Sequence, residues 1–218
     1  MSQGTNQPIQ TNHVPADNAS DVGRMDFIVR SALSGLRTAI PVKVVAVSNS
    51  GGVSAIGHVD VQPLVSAVDG NGQAWAHGII YNVPYMRIQG GSNGVILDPV
   101  VGDIGIGTVC DRDISTVKST GAVAAPGSNR KNDMSDMVYL MTIIGAAPTQ
   151  YIQFNSSGIT ILSPTQVTIT APNISSSGTW SHTGSFTATG DVKGQGTSLH
   201  THVHSGVQSG GSNTGQPV

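Results

Sequence analysis

A glycine recurs every six residues near the end of the chain, at Gly178, Gly184, Gly190 and Gly196, and no other feature narrows the possible folds so far. Two places after the first three stand Trp180, Phe186 and Val192, so the unit reads G-x-apolar-x-x-x. Upstream, Ile152 with Phe154, Ile159 with Ile161 and Val167 with Ile169 form alternating pairs set off by Gly158, Pro164 and Pro172. Alternation puts both members of a pair on one face of an extended strand. Short strands with one or two inward apolar residues and regular turns mark a β-helix, but hexads this short leave a single chain little interior to fill. Three chains wound about one axis remove the difficulty. Each apolar position then meets its symmetry copies in a thin core, and each strand edge is paired by a neighbour. A disordered Ser/Thr/Gly tail would need no register at all.

The distribution of charge agrees with a self-covered shaft. After Asp136 the only charged residues are Asp191 and Lys193, a surface that invites association unless copies cover it. The chain as a whole has 10% charged residues and a formal net charge of -2, so it has no basic face with which to hold nucleic acid or an anionic membrane. Glutamate is absent and aromatics make up 4%, which favours small packed strands over helices or an aromatic-rich pocket. A single cysteine, Cys110, permits no intramolecular disulfide. The N-terminus lacks the basic-then-apolar order of a signal peptide, and no apolar run approaches the roughly 18 residues of a membrane span. The expectation is synthesis as a soluble protein in the cytoplasm.

Before the shaft the sequence predicts a mainly β domain with one helix. Residues 1 to 16 read as an arm. Val22, Met25, Ile28, Val29, Ala32, Leu33 and Leu36 recur at helical spacing between Asp17 and Asp21 on one side and Gly35 on the other. Strands are expected at 42–47, 53–61, 74–81, 86–88, 95–97 and 104–110, with a hairpin turn at Asp69-Gly70-Asn71-Gly72. About five strands with turn signals between them suit a small barrel. Cys110 continues an apolar strand and reads as a small buried residue. Asp111-Arg112-Asp113 reads as a solvated or locally paired turn. From Thr116 to Asp136 the composition shifts to that of a linker or long loop.

The tail carries the chemistry. His200, His202 and His204 stand at a spacing of two, which on an extended strand points three imidazoles the same way. Such a comb is too linear to enclose an ion alone. Two histidines from each of three chains would supply three times two, or six, nitrogens in a closed octahedral cage, a structural rather than a catalytic site. Imidazole suits iron, nickel, copper and zinc, so spacing leaves the metal open.

Leu199, His202-Val203-His204, Ser205-Gly206-Val207, Gly210-Gly211, Asn213-Thr214-Gly215 and Pro217 resemble the C-terminal tip of the central spike proteins of contractile-tailed bacteriophages. Pro99, Val101-Gly102-Asp103, Gly105 and Cys110 to Ile114 look like the end of the N-terminal OB-fold domain of those spikes. The resemblance implies a homotrimer in which a His-x-His pair from each chain, here His202 and His204, binds one iron ion. His200 is an added candidate ligand on the same face. It implies a virion protein at the tip of the tail baseplate, attached to the hub through its N-terminal domain, that pierces the host outer membrane. The expected layout is an arm and helix over 1–37, an OB-fold over 38–115, a linker over 116–137, an intertwined trimeric β-helix over 138–197 and a metal-bound apex over 198–218. Because imidazole binds metal only when unprotonated, acid should loosen that apex.

No catalysed chemistry is expected. A metal-dependent hydrolase would need an open coordination position and a nearby base, and the only acid near the tail is Asp191. The competing reading is a tail-fibre module whose barrel recognises a host receptor or glycan, with the β-helix as a stalk. Between Val42 and Ser115 such a surface would have only Trp75, Tyr81 and Tyr85 as aromatic platforms.

Overall fold

The structure is a computed structural model and describes residues 20–49, 51–68, 72–203, 205–206 and 210–211. The arm expected over residues 1 to 16 and the Asp69-Gly70-Asn71 part of the predicted hairpin turn lie outside the described residues. The chain forms two compact units, Met1–Leu162 and Ser163–Val218. It is mainly β with few helices.

In the first unit, helix α1 spans Asp21–Ser34. Ser20 caps it by accepting a hydrogen bond from the Gly23 N–H at 3.1 Å, and Gly35 closes it. A five-stranded sheet follows, built from β1 (Ala39–Val47), β2 (His58–Pro63), β5 (Ile80–Pro84), β8 (Ile104–Val109) and β9 (Met137–Ile144). Two small hairpins interrupt the sequence, β3 (Ala67–Val68) with β4 (Ala74–Trp75), and β6 (Ile88–Gly90) with β7 (Asn93–Val95). The sheet runs in the order β5-β2-β1-β8-β9, with every neighbour antiparallel. One parallel bridge, Tyr85 to Tyr139, and a 2.8 Å hydrogen bond from the Met86 N–H to the Tyr139 carbonyl link its two edges. No continuous ladder closes them among the described residues.

The core follows from strand alternation. Val42 and Val44 on β1, Val59 and Val61 on β2, and Val83 on β5 all point inward and are buried. Met137 and Tyr139 on β9 complete the cluster with Tyr85 and Val109. The sequence reading places Val138 at the head of a second segment. The structure instead makes β9 the fifth strand of this sheet. Glycines on β8 are the reason. A Cβ at Gly105 would collide with the Tyr139 ring and the Met141 carbonyl, and one at Gly107 with the Met137 thioether. Only a strand with glycine at both places lets those two large side chains lie across it.

The stretch between β8 and β9 is more ordered than a linker. Helix α2 occupies Ser115–Thr120, and a 3-10 turn spans Met134–Asp136. Arg130 reaches two buried carboxylates, Asp113 at 3.0 Å and Asp136 at 3.1 Å. Asp113 also accepts from Ser115 N–H at 2.8 Å and from the Ser128 hydroxyl at 2.6 Å. Hydrogen bonds from Ser115 and Ser128, with Arg130 beside them, hold the Asp113 carboxyl far below the usual carboxylate range. Cys110 is half-buried, and burial first, then Asp136 and Asp111, pushes its thiol up.

After β9 the burial stops. Strands β10 (Tyr151–Asn155) and β11 (Gly158–Leu162) form a hairpin in which Ile152 pairs with Ile161 and Phe154 with Ile159. Directly opposed residues share a face, so these four apolar side chains form one square, and all four are exposed. In the second unit two glycines of the six-residue repeat share one backbone geometry, Gly178 with φ 121° and Gly184 with φ 120°. Trp180 and Phe186, two residues on, are each 73% exposed. No described residue of this unit is buried, and its strands are the two-residue β12 (Lys193–Gly194) and β13 (Thr197–Ser198).

Candidate metal-binding apex

The candidate site begins where β12 turns into β13. Lys193 pairs with Ser198 and Gly194 with Thr197, leaving Gln195 and Gly196 as a two-residue loop with φ 51° and 84°. Two successive positive φ angles are what a tight hairpin of this kind needs, and glycine supplies the second without strain. The hairpin brings Asp191 and Ser198 together. The Ser198 hydroxyl donates to Asp191 Oδ1 at 2.7 Å and accepts from the N–H groups of His200 at 3.1 Å and Thr201 at 3.0 Å. The Leu199 N–H bonds the Val192 carbonyl at 2.8 Å, and the His202 N–H reaches the Ser198 carbonyl at 3.2 Å.

These bonds curl the chain immediately before the histidines. His200 therefore sits in a turn rather than on a strand, and a spacing of two does not by itself align its imidazole with that of His202. His202 Nδ1 lies 3.1 Å from the Leu199 carbonyl. A carbonyl only accepts, so the proton belongs on Nδ1 and the lone pair on Nε2, the nitrogen that can ligate a metal. His204 lies outside the described residues. The donors fit a transition metal in kind, since neutral imidazole is the commonest protein ligand. Among the described residues no three His, Cys, Asp or Glu residues gather.

His182 Nε2 lies 3.1 Å from the Ser185 carbonyl and its ring meets Phe186 edge-on at 6.5 Å. His58 sits on β2 and its N–H donates to the Ser48 hydroxyl at 2.7 Å. The polar centre that sequence reasoning missed is in the first unit. Arg87 and Asp98 form a salt bridge with side chains 1% and 3% exposed. Tyr85 donates to Asp98 at 2.7 Å and accepts from Asn49 Nδ2 at 2.9 Å. Burial opposes ionisation of Asp98, yet hydrogen bonds from Arg87 and Tyr85 leave its carboxyl below the usual range. No sequence spacing announces this pair, because its members come from either side of the β6–β7 hairpin. Beside it opens a groove of about 590 Å³ lined largely by apolar side chains such as Met86, Leu97, Val100 and Met141.

Against known families, residues 196–218 match the model of the apex motif described as the GpV Apex motif. No curated protein matches the chain. The match supports an apex of the phage tail-spike or VgrG type, suggests a place in the virion tail, and is to a motif that in general binds metal, without fixing which.

Proposed function

We propose that this chain is the structural spike of a phage tail baseplate, a homotrimer whose apex is tied by one metal ion and which pierces the host outer membrane as the tail contracts. The carrying observation is a mismatch within one chain. It carries an apex motif at residues 196–218, yet among the described residues that lead to it Phe154, Ile159, Trp180 and Phe186 stand exposed. Two further copies around one axis would cover each position and pair the open strand edges, as an intertwined β-helix that begins after β9 instead of at residue 138. The repeated backbone geometry at Gly178 and Gly184 supports a regular winding.

At the tip, His202 and His204 of each chain would hold the metal, with His200 a third candidate. Iron is the proposed ion, with another transition metal as the alternative. A bound ion would tie the three copies together at this tip. The chain's own part is to set the ligand: the Leu199 carbonyl fixes the His202 tautomer, and Asp191 with Ser198 fixes the turn before it. No reaction is catalysed; the action is mechanical.

The first unit is proposed as the OB-fold base that joins the baseplate hub. The five strands of its main sheet, taken in chain order, connect as 1-2-3-5-4-1 once the parallel Tyr85–Tyr139 bridge is counted, which is the circuit of a five-stranded Greek-key barrel. The receptor- or glycan-binding alternative gains nothing from the groove beside Arg87, whose one aromatic residue is the buried Tyr139.

Native mass spectrometry of protein purified without a histidine tag tests the reading. A trimer carrying one metal ion, lost on replacing His202 and His204 by alanine, is expected. A metal-free monomer would overturn it.

A further inference from the structure

From Gly178 to Gly196 the chain alternates without a break. Every odd-numbered position, from Thr179 to Gln195, is polar or charged. Every even-numbered one is glycine, alanine, tryptophan, phenylalanine or valine, with one exception, His182. Alternation puts each set on its own side of an extended chain. His182 is therefore the one titratable side chain in the row that carries Trp180, Phe186 and Val192, while Asp191 and Lys193 belong to the opposite row.

The structure keeps His182 with that row. Its ring meets the Phe186 ring edge-on, with 6.5 Å between centroids. Four residues of extended chain span about 13 Å, so the two side chains lean together across Gly184. Glycine there leaves the room: a Cβ at Gly184 would lie 3.9 Å from His182 Nε2. Nε2 itself is 3.1 Å from the Ser185 carbonyl. A carbonyl only accepts, so the proton sits on Nε2 and the lone pair on Nδ1. Among the described residues no hydrogen bond occupies Nδ1.

On the trimeric reading Phe186 meets its symmetry copies, and His182, in contact with Phe186, is carried toward the same axis. Three Nδ1 lone pairs then share an apolar surrounding of Phe186 and Trp180. Acceptors cannot satisfy one another, and buried polar atoms left without a partner are costly. A cation on the axis answers all three at once. Neutral imidazole selects a transition metal for that place, whereas calcium and magnesium take oxygen ligands. We infer that His182 of three copies forms a second metal site, within the shaft and ahead of the apex histidines, for a divalent transition ion such as nickel or zinc. The inference rests on the trimeric reading proposed above. Each copy supplies a single ligand, so the site is incomplete in one chain. Three protein ligands leave coordination positions for water, and such an ion is held less firmly than one enclosed by six imidazoles. It should therefore load from added metal.

Native mass spectrometry of the full chain without a histidine tag, titrated with nickel, tests this. His182→Phe keeps an aromatic ring in the row and removes the ligand. At the same nickel concentration the wild-type trimer should carry one ion more than the His182→Phe trimer. Equal loading of the two trimers overturns the site alone, as does a difference of three ions per trimer, which would mean that each His182 binds by itself at the surface. Absence of a trimer from the wild-type protein overturns the reading on which the site rests.

Discussion

The two units solve the problem of apolar residues in opposite ways. The first folds a sheet around Val42, Val44, Val59, Val61 and Tyr139 and buries them inside one chain. The second buries no described residue, and its large apolar side chains, Trp180 and Phe186, stand exposed at equivalent places of a repeat. Charge follows the same division. The buried Arg87–Asp98 pair and the buried carboxylates Asp113 and Asp136, which Arg130 reaches from the surface, belong to the first unit, whereas Asp191 and Lys193 are the only charges of the second. A core within one chain tolerates a few well-partnered charges. A surface meant for copies of itself cannot, because every charge placed near a threefold axis meets two of its own sign. The difference teaches that stability is a property of the chain in one half and, on the proposed reading, of the assembly in the other.

Phe186→Asp should break that division most completely. It places three like charges around the proposed axis, and sedimentation of the full chain should shift from trimer to smaller species while the far-ultraviolet signature of the first sheet persists. A trimer that survived would show that Phe186 faces solvent in the assembly. Met137→Ala is the converse test. Met137 is fully buried, and truncating such a side chain costs about 2–5 kcal/mol. Its denaturation midpoint should fall for the first unit, whereas Trp180→Ala should have that effect only in the assembled protein. Next in size is Gly184→Ala. A side chain at φ 120° is strained by about 1–3 kcal/mol, and no atom except the His182 ring lies near the added carbon. The loss, read by thermal unfolding, should therefore be of backbone origin and should repeat at Gly178.

How much of this the sequence discloses depends on the range of the interaction. The α1 helix and the central strands are written locally, in spacing and turn residues, and appear close to where their patterns lie. The role of β9 was hidden because it is decided across the sheet. Met137 and Tyr139 find room only against Gly105 and Gly107, some thirty residues earlier, and an apolar strand looks the same whichever sheet receives it. The Arg87–Asp98 pair was invisible for the same reason. At the apex the sequence spacing puts His200 on a strand, where the structure has a turn. Ser198, an unremarkable serine in the pattern, accepts two N–H groups and curls the chain before His202.

The last prediction expects no change over most of its range. Asp113, Asp98 and Asp133 all have carboxyls held below the ordinary range in the folded protein, chiefly by hydrogen bonds from Ser115 and Ser128, from Arg87 and Tyr85, and from Ser135. A folded-state pKa below the unfolded one means the unfolded chain takes up protons first as pH falls. The stabilisation is therefore complete above the ordinary carboxylate value, about pH 4, and is lost only as the pH drops toward the depressed values. Denaturant midpoints of the first unit should stay level from neutral pH to about pH 4 and decline below it. The proposed metal tie obeys a different rule, since protons compete directly with the ion for imidazole and act at milder acidity. Acidification should thus separate the two halves in order, releasing metal at the apex while the sheet remains intact. If the sheet gave way first, the hydrogen bonds to these carboxylates would not be supplying the stability that their lowered values imply.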